Sequence, residues 1–399
     1  MPPRIPANCN PAMLSWARSD AGYTLERAAE RTHYTVERLR EWEGGESKPT
    51  IPQLRALAHV YRRPLAAFFL QEPPPGFQPA ADFRRLPDAE LRWTPELRAL
   101  LRRTATQQKT YLELLADLGD EPPELPHPPD TDDAETVGEF ARETLRVSLE
   151  AQGGWRDESA ALRGWTRAVE DAGALVLHTS TTRGQTIPPE EMLGFSAGGP
   201  VPAVVLNGKD HARRRVFTLL HEYAHLLLRR AGICDLHDRY TTPNYDPTEV
   251  FCNAIAAATL MPREPFLQDP AVRRHVRNPE WDDATLGDIA QRFTTSREAV
   301  LRRLLTFELT TEDYYRRWRD EYNQRFDARQ GDDDEDVGGF ANYYTMKVRE
   351  LGLPYISAAL EAYSADAINA SDLARALNIK LKNLSRVEAE VQRAMARRS

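Results

Sequence analysis

One short run limits this chain more than any other. From Ala212 the pattern is helical, and Val216, Phe217, Leu219, Leu220, Tyr223, Ala224, Leu227 and Leu228 cover most of the cylinder. A helix that is apolar nearly all round is buried on more than one side. Inside it sits His221-Glu222-Tyr223-Ala224-His225. Two buried imidazoles and a carboxylate are costly to desolvate unless something pairs them. His221 and His225 are one turn apart, so they project from the same face and can take two corners of a metal tetrahedron. Glu222 lies about 100° round the helix, where its carboxylate can serve a metal-activated water as general base. With 9 His and 60 Asp+Glu in 399 residues, chance yields such a pentad about 0.03 times.

Two protein ligands leave a catalytic site incomplete, so a third is expected downstream. Glu249 is the best candidate. It opens a second helical pattern that runs to Leu260 and is closed by Pro262, and the intervening chain is long enough for an antiparallel partner helix. His211, Asp235, His237 and Asp238 are competing ligands, whereas Cys252 reads as a small core residue. A His2Glu set favours Zn2+, with Mn2+ or another divalent ion as the alternative.

The run Arg214…Phe217-Thr218-Leu219-Leu220-His221-Glu222-Tyr223-Ala224-His225-Leu226, followed by Glu249…Cys252-Asn253…Leu260-Met261-Pro262, resembles the ImmA/IrrE family of zinc metallopeptidases. The resemblance implies zinc ligation by His221, His225 and Glu249, and water activation by Glu222. It also implies a zincin-like domain with a small sheet. Short β-branched runs at Gly173–Ser180 and Pro202–Asn207 read as strands, with Gly194–Ser196 a candidate third. Acyl transfer needs an oxyanion donor, for which Tyr223, Tyr240 and Tyr245 are the candidates.

The N-terminal stretch has a different character. Residues 1–70 carry ten Lys/Arg against seven Asp/Glu, so they are positive within a chain of net charge −8. Apolar periodicity groups Leu25, Ala28 and Ala29, then Val36, Leu39 and Trp42, then Ile51, Leu54, Leu57, Ala58 and Tyr61. Thr24 and Thr35 are natural N-caps, Gly44-Gly45 ends one helix, and Pro52 starts the next. Short helices joined by three- or four-residue turns are helix-turn-helix geometry. Asn10–Leu70, and most tellingly Trp42-Glu43-x-Gly45-Glu46…Pro49-Thr50, resembles the XRE, or Cro/repressor, type. That resemblance places the helix from Thr35 in the DNA major groove. Thr35, Val36, Glu37, Arg38 and Arg40 then face bases or phosphates, with Lys48 near the backbone. Modules of this type bind palindromes as dimers, so a homodimer on double-stranded DNA is expected.

Pro-rich breaks at Glu72–Pro79 and Glu121–Asp130 and the acidic run Gly331–Asp336 punctuate the rest. The expected organisation is a helix-turn-helix domain at 1–71 and a helical bridge with Pro-rich linker at 72–130. A metallopeptidase domain follows at 131–270 and a second helix-turn-helix-like helical subdomain at 271–326. An acidic linker at 327–337 and a C-terminal helical region at 338–399 complete the chain. In the second such pattern, Thr285–Leu305, Arg297, Arg302 and Arg303 either touch phosphate or form a solvated basic face. The fold class is α+β and mostly helical: an N-terminal five-helix XRE domain, a central zincin-like domain with a small sheet, and a helical C-terminal region.

Three cysteines, at 9, 234 and 252, make no disulfide framework. The absence of an apolar leader or an 18-residue apolar run gives the expectation of a cytoplasmic protein without a membrane partner. The resulting functional expectation is a zinc-dependent endopeptidase fused to a DNA-binding module. By family resemblance it would cleave a repressor or antitoxin-like protein and so control transcription in stress, mobile-element or phage-defence responses. The alternative is a transcriptional regulator or antitoxin whose peptidase-like domain binds a partner, such as a toxin, or a ligand, with little turnover.

Overall fold

The computed structural model describes residues 6–74, 94–180, 186–189, 191–229, 233–234, 247–275, 278–330 and 343–396. The chain divides into two compact units, Met1–Thr106 and Gln107–Ser399. In the first unit the five expected helices are α1 (Pro11–Asp20), α2 (Leu25–Thr32), α3 (Val36–Gly44), α4 (Ile51–Val60) and a 3-10 turn, Leu65–Phe69. Polar side chains at their starts fix where they begin. Asn10, Thr24 and Thr35 each accept from a first-turn amide, and Thr50 with Gln53 forms a capping box. The same Asn10 side chain donates to Leu70 O and Gln71 O, closing the unit on itself. Trp42, Leu39, Ala28, Leu54, Leu57 and Phe68 fill the core. Arg18 grips Glu43 through two hydrogen bonds of 2.7 and 2.9 Å, which ties α1 to α3.

Helix α5 (Pro95–Leu118) is followed by Glu121–Asp130, which has almost no regular structure. The second unit then builds α6 (Ala134–Leu145), α7 (Leu149–Gly153) and α8 (Glu158–Asp171) ahead of the sheet. The strands are β1 (Leu175–His178), β2 (Gly194–Ala197), β3 (Ala203–Leu206) and β4 (Ile233–Cys234), in spatial order β1-β3-β2-β4. β1 and β3 are parallel, with Leu175 opposite Ala203; β2 runs antiparallel to β3, with Gly194 opposite Leu206. The fourth strand was not expected from the sequence. It is two residues long, pairing Gly194 with Cys234 and Phe195 with Ile233.

Helix α9 (Ala212–Leu227) packs against α8, β2 and β3, and α10 (Pro247–Leu260) packs against both α6 and α9. The α6–α10 crossing is close because Gly138 has no side chain: a Cβ there would lie 2.5 Å from Cβ of Ala258. Short helices α11 (Arg263–Leu267) and α12 (Pro270–His275) lead into α13 (Asp283–Arg292), α14 (Arg297–Thr306) and α15 (Glu312–Gln330). From residue 331 the expected acidic linker lies outside the described residues.

The α13–α14 pair corrects one sequence expectation. Arg303 is neither a phosphate contact nor part of a solvated face: it is 1% exposed. Its guanidinium meets both Glu135 carboxylate oxygens at 2.6 Å and Met261 O at 3.0 Å. Arg302 is turned to the Tyr315 hydroxyl at 2.7 Å. Ala299, Val300, Leu301 and Leu304 bury the same helix in the main core, so α14 is structural.

The C-terminal region comprises α16 (Tyr343–Leu351), α17 (Leu353–Ser364), α18 (Ala370–Ala376) and α19 (Leu384–Ala396). It docks on β1. The amides of Leu175 and Thr179 point to the β3 side, so the carbonyl of Val176 points to the outer edge. Gly352, at φ 77°, sits there, and a Cβ on it would come 3.1 Å from that carbonyl. Glu170 accepts from Leu353 N at 3.4 Å and Gln107 donates to Leu351 O at 2.6 Å, which anchors the α16–α17 corner.

The buried Glu135–Arg303 pair yields a test. Glu135→Ala strands a guanidinium inside the protein and costs about 3–5 kcal/mol in urea unfolding. Replacing both partners, as in Glu135→Leu with Arg303→Met, costs much less.

Candidate metal centre and nucleic-acid interface

The metal-site candidates come from two helices. His221 and His225 lie on α9, 0% and 3% exposed, and Glu249 lies in the first turn of α10. His221 Nε2 is 3.2 Å from one Glu249 carboxylate oxygen, and His225 Nε2 is 3.3 Å from the other. The two Nε2 atoms are themselves 3.1 Å apart. All three donors lie within 4.8 Å of one another, the only such group of His, Cys, Asp or Glu among the described residues.

Protonation follows from this crowding. Burial alone would raise the Glu249 pKa, but hydrogen bonds from both imidazoles outweigh it and hold the carboxyl well below its usual range. Burial pushes the His221 pKa down, with the Glu249 carboxylate opposing. At His225 burial also penalises the cation, yet hydrogen bonds to Cys252 and Glu249 prevail and raise its pKa. One proton is thus drawn between two ring nitrogens and an anion. A cation of suitable size meets the same demand, and two imidazoles with a carboxylate are a donor set that suits zinc. The residues present therefore fit a divalent ion.

Glu222 is fully buried. Its charge reaches both His225 and Cys252, so its carboxylate belongs to the same cluster. Cys252, one turn beyond Glu249, is fully buried and packs with Val137, Ala224 and Ile255, as a small core residue does. Its contact with His225 was not foreseen from the sequence. Nor was the effect of Asn253 on His221. The available signal was Asn253's place four residues after Glu249, which puts both on one face of α10.

Tyr223 is corrected as an oxyanion donor. It points away from the cluster into the main core, beside Val216, Leu219 and Leu226. Two residues along a helix turn the side chain about 200°, so it cannot share the face of His221. His211 is the exposed N-cap of α9 and is not in the three-residue group. Asp235, His237, Asp238, Tyr240 and Tyr245 lie outside the described residues.

In the first unit, α2 and α3 are joined through His33, whose φ of 60° places it in the left-handed region without the help of a glycine. Thr35, Glu37, Arg38, Arg40 and Lys48 are exposed, and Val36 is half-buried. The Thr35 hydroxyl accepts from Arg38 N at 3.2 Å as the helix cap. Arg38 bonds Glu41 at 2.7 Å and lies 5.3 Å from the Trp42 ring centre. Lys48 donates to Asn8 Oδ1 at 2.7 Å. The exposed face of α3 thus carries two arginines, one of them already paired with a neighbouring acid.

No helix among the described residues is long and apolar enough to cross a membrane. Residues 12–68 match the family model of a helix-turn-helix domain. Residues 172–305 match that of peptidase family M78, the IrrE N-terminal-like domain. No curated protein matches the chain. The chain therefore joins a helix-turn-helix DNA-binding domain to a peptidase-family domain of the IrrE N-terminal-like kind.

Proposed function

We propose that this protein is a zinc-dependent endopeptidase coupled to a DNA-binding module. Its substrate in this reading is a repressor or antitoxin-like protein, whose cleavage alters transcription. The observation that supports the reading most is the convergence of His221, His225 and Glu249 within 4.8 Å of one another, with the buried Glu222 carboxylate beside them.

The roles follow from chemistry. His221, His225 and Glu249 would hold the ion, which when bound supplies Lewis acidity to a water and to the scissile carbonyl. Glu222 accepts the proton of the attacking water and hands it to the departing amine, so one carboxylate serves both halves of peptide hydrolysis. Burial suits it to this work, because a base shielded from bulk water keeps its proton for the leaving group. On α3, Thr35, Val36, Glu37, Arg38 and Arg40 would address the major groove. Lys48 would reach the phosphate backbone.

Purified protein is expected to carry one equivalent of zinc by elemental analysis, and His221→Ala to lose it. Glu222→Gln should keep the metal, yet lose about 10²–10⁴-fold in cleavage of a proteome-derived peptide library read by mass spectrometry. If Glu222→Gln cleaves as well as the wild type, the peptidase reading fails and a regulator with little turnover remains. For the DNA module, Arg40→Ala should weaken binding to a duplex selected from a random pool and reduce the salt slope by about 1.

A further inference from the structure

The Glu222 carboxylate is set not only by its own helix but by the strand beneath it. α9 crosses β2, and the closest point of that crossing is Gly194. A Cβ at position 194 would lie 2.5 Å from Cγ2 of Thr218, 3.1 Å from the carbonyl oxygen of Val205 and 3.4 Å from Oε1 of Glu222. Carbon–carbon contacts are comfortable at about 3.5–4.0 Å, so a methyl group here would drive α9 and β2 apart by about 1 Å.

Thr218 and Glu222 are four residues apart and share one helical face, and both are fully buried. Thr218 is held in turn, because its hydroxyl donates to Arg214 O at 3.1 Å and leaves Cγ2 as the group turned to the strand. Gly194 cannot move away either: it is paired with Leu206 on one side and Cys234 on the other. Its φ is not positive, in contrast to that of Gly352. Space, not backbone conformation, is what requires a glycine at this position.

We propose that Gly194 is a positioning residue. By lacking a side chain it lets the Thr218–Glu222 face of α9 seat directly on β2, and this fixes the Glu222 carboxylate beside the His221, His225 and Glu249 cluster. The catalytic part of the proposal rests on the peptidase reading above; the packing part does not. The three atoms nearest a Cβ at position 194 include Glu222 Oε1 and no atom of either histidine, so a disturbance at the strand reaches the base before it reaches the ligands.

The test is a cycle of Gly194→Ala, Thr218→Ser and the double substitution in the full-length, zinc-loaded protein. Thr218→Ser removes the clashing Cγ2 and keeps the hydroxyl that bonds Arg214. Gly194→Ala is expected to lower the unfolding midpoint, retain one equivalent of zinc, and lose about 10²-fold in kcat at little change in KM, measured on the best-cleaved library peptide. Thr218→Ser alone should change little, and the double variant should recover most of both midpoint and kcat, with the 3.1 Å approach to Val205 O remaining. Full activity of Gly194→Ala overturns the proposal. So does recovery of the midpoint without recovery of kcat. If the wild type cleaves nothing, it is the peptidase reading that fails; positions 194 and 218 are then judged by the unfolding cycle alone, and additivity there overturns the proposal.

Discussion

The second unit is organised around a single electrostatic requirement. Two buried imidazoles one turn apart on α9 and a half-buried carboxylate at the start of α10 meet within 3.3 Å, and a shared proton or a cation satisfies all three. The carboxylate gains further from its place near a helix N-terminus, where the macrodipole favours an anion. The surrounding architecture keeps the two helices in contact. The glycine of α6 lets α10 lie close, the sheet backs α9, and the Glu135–Arg303 pair joins α6 to α14. A polar cluster this compact needs a stiff apolar shell. Val137, Ala224, Cys252 and Ile255 supply it beside the cluster, and the main core packs against α9 as well.

What the sequence revealed of this arrangement divides by the range over which the physics acts. The pentad on α9 was readable because helical periodicity is local: spacing alone sets His221 and His225 on one face. Cap residues were readable for the same reason, and Thr24 and Thr35 both cap helices. A helical pattern and a loop of suitable length favour Glu249 over His211 and three loop residues. The structure puts its carboxylate within 3.3 Å of both rings.

The sequence was less informative where partners are distant. Nothing near Arg303 indicates that its charge is answered 168 residues earlier by Glu135, so a basic helix face looked solvated when it was buried. Tyr223 sits inside the pentad, but its azimuth sends it to the core. β4 is two residues long, too short for an alternating pattern to register. The close approach of Gly194 to Thr218 and Glu222 depends on how α9 crosses the sheet, a relation that no local rule encodes.

The Gly352 corner has a further consequence. β1 ends the sheet on one side, and a bare strand edge invites another chain to add to it. Here helix α16 of the C-terminal region packs along that border, with Gly352 after it pressed against the outward carbonyl of Val176. Those final residues therefore cover an edge that would otherwise be open to pairing. A chain that lost them would keep every group of the candidate metal centre yet present an adhesive margin, so clipping near the C-terminus would be felt as aggregation before it was felt as lost chemistry.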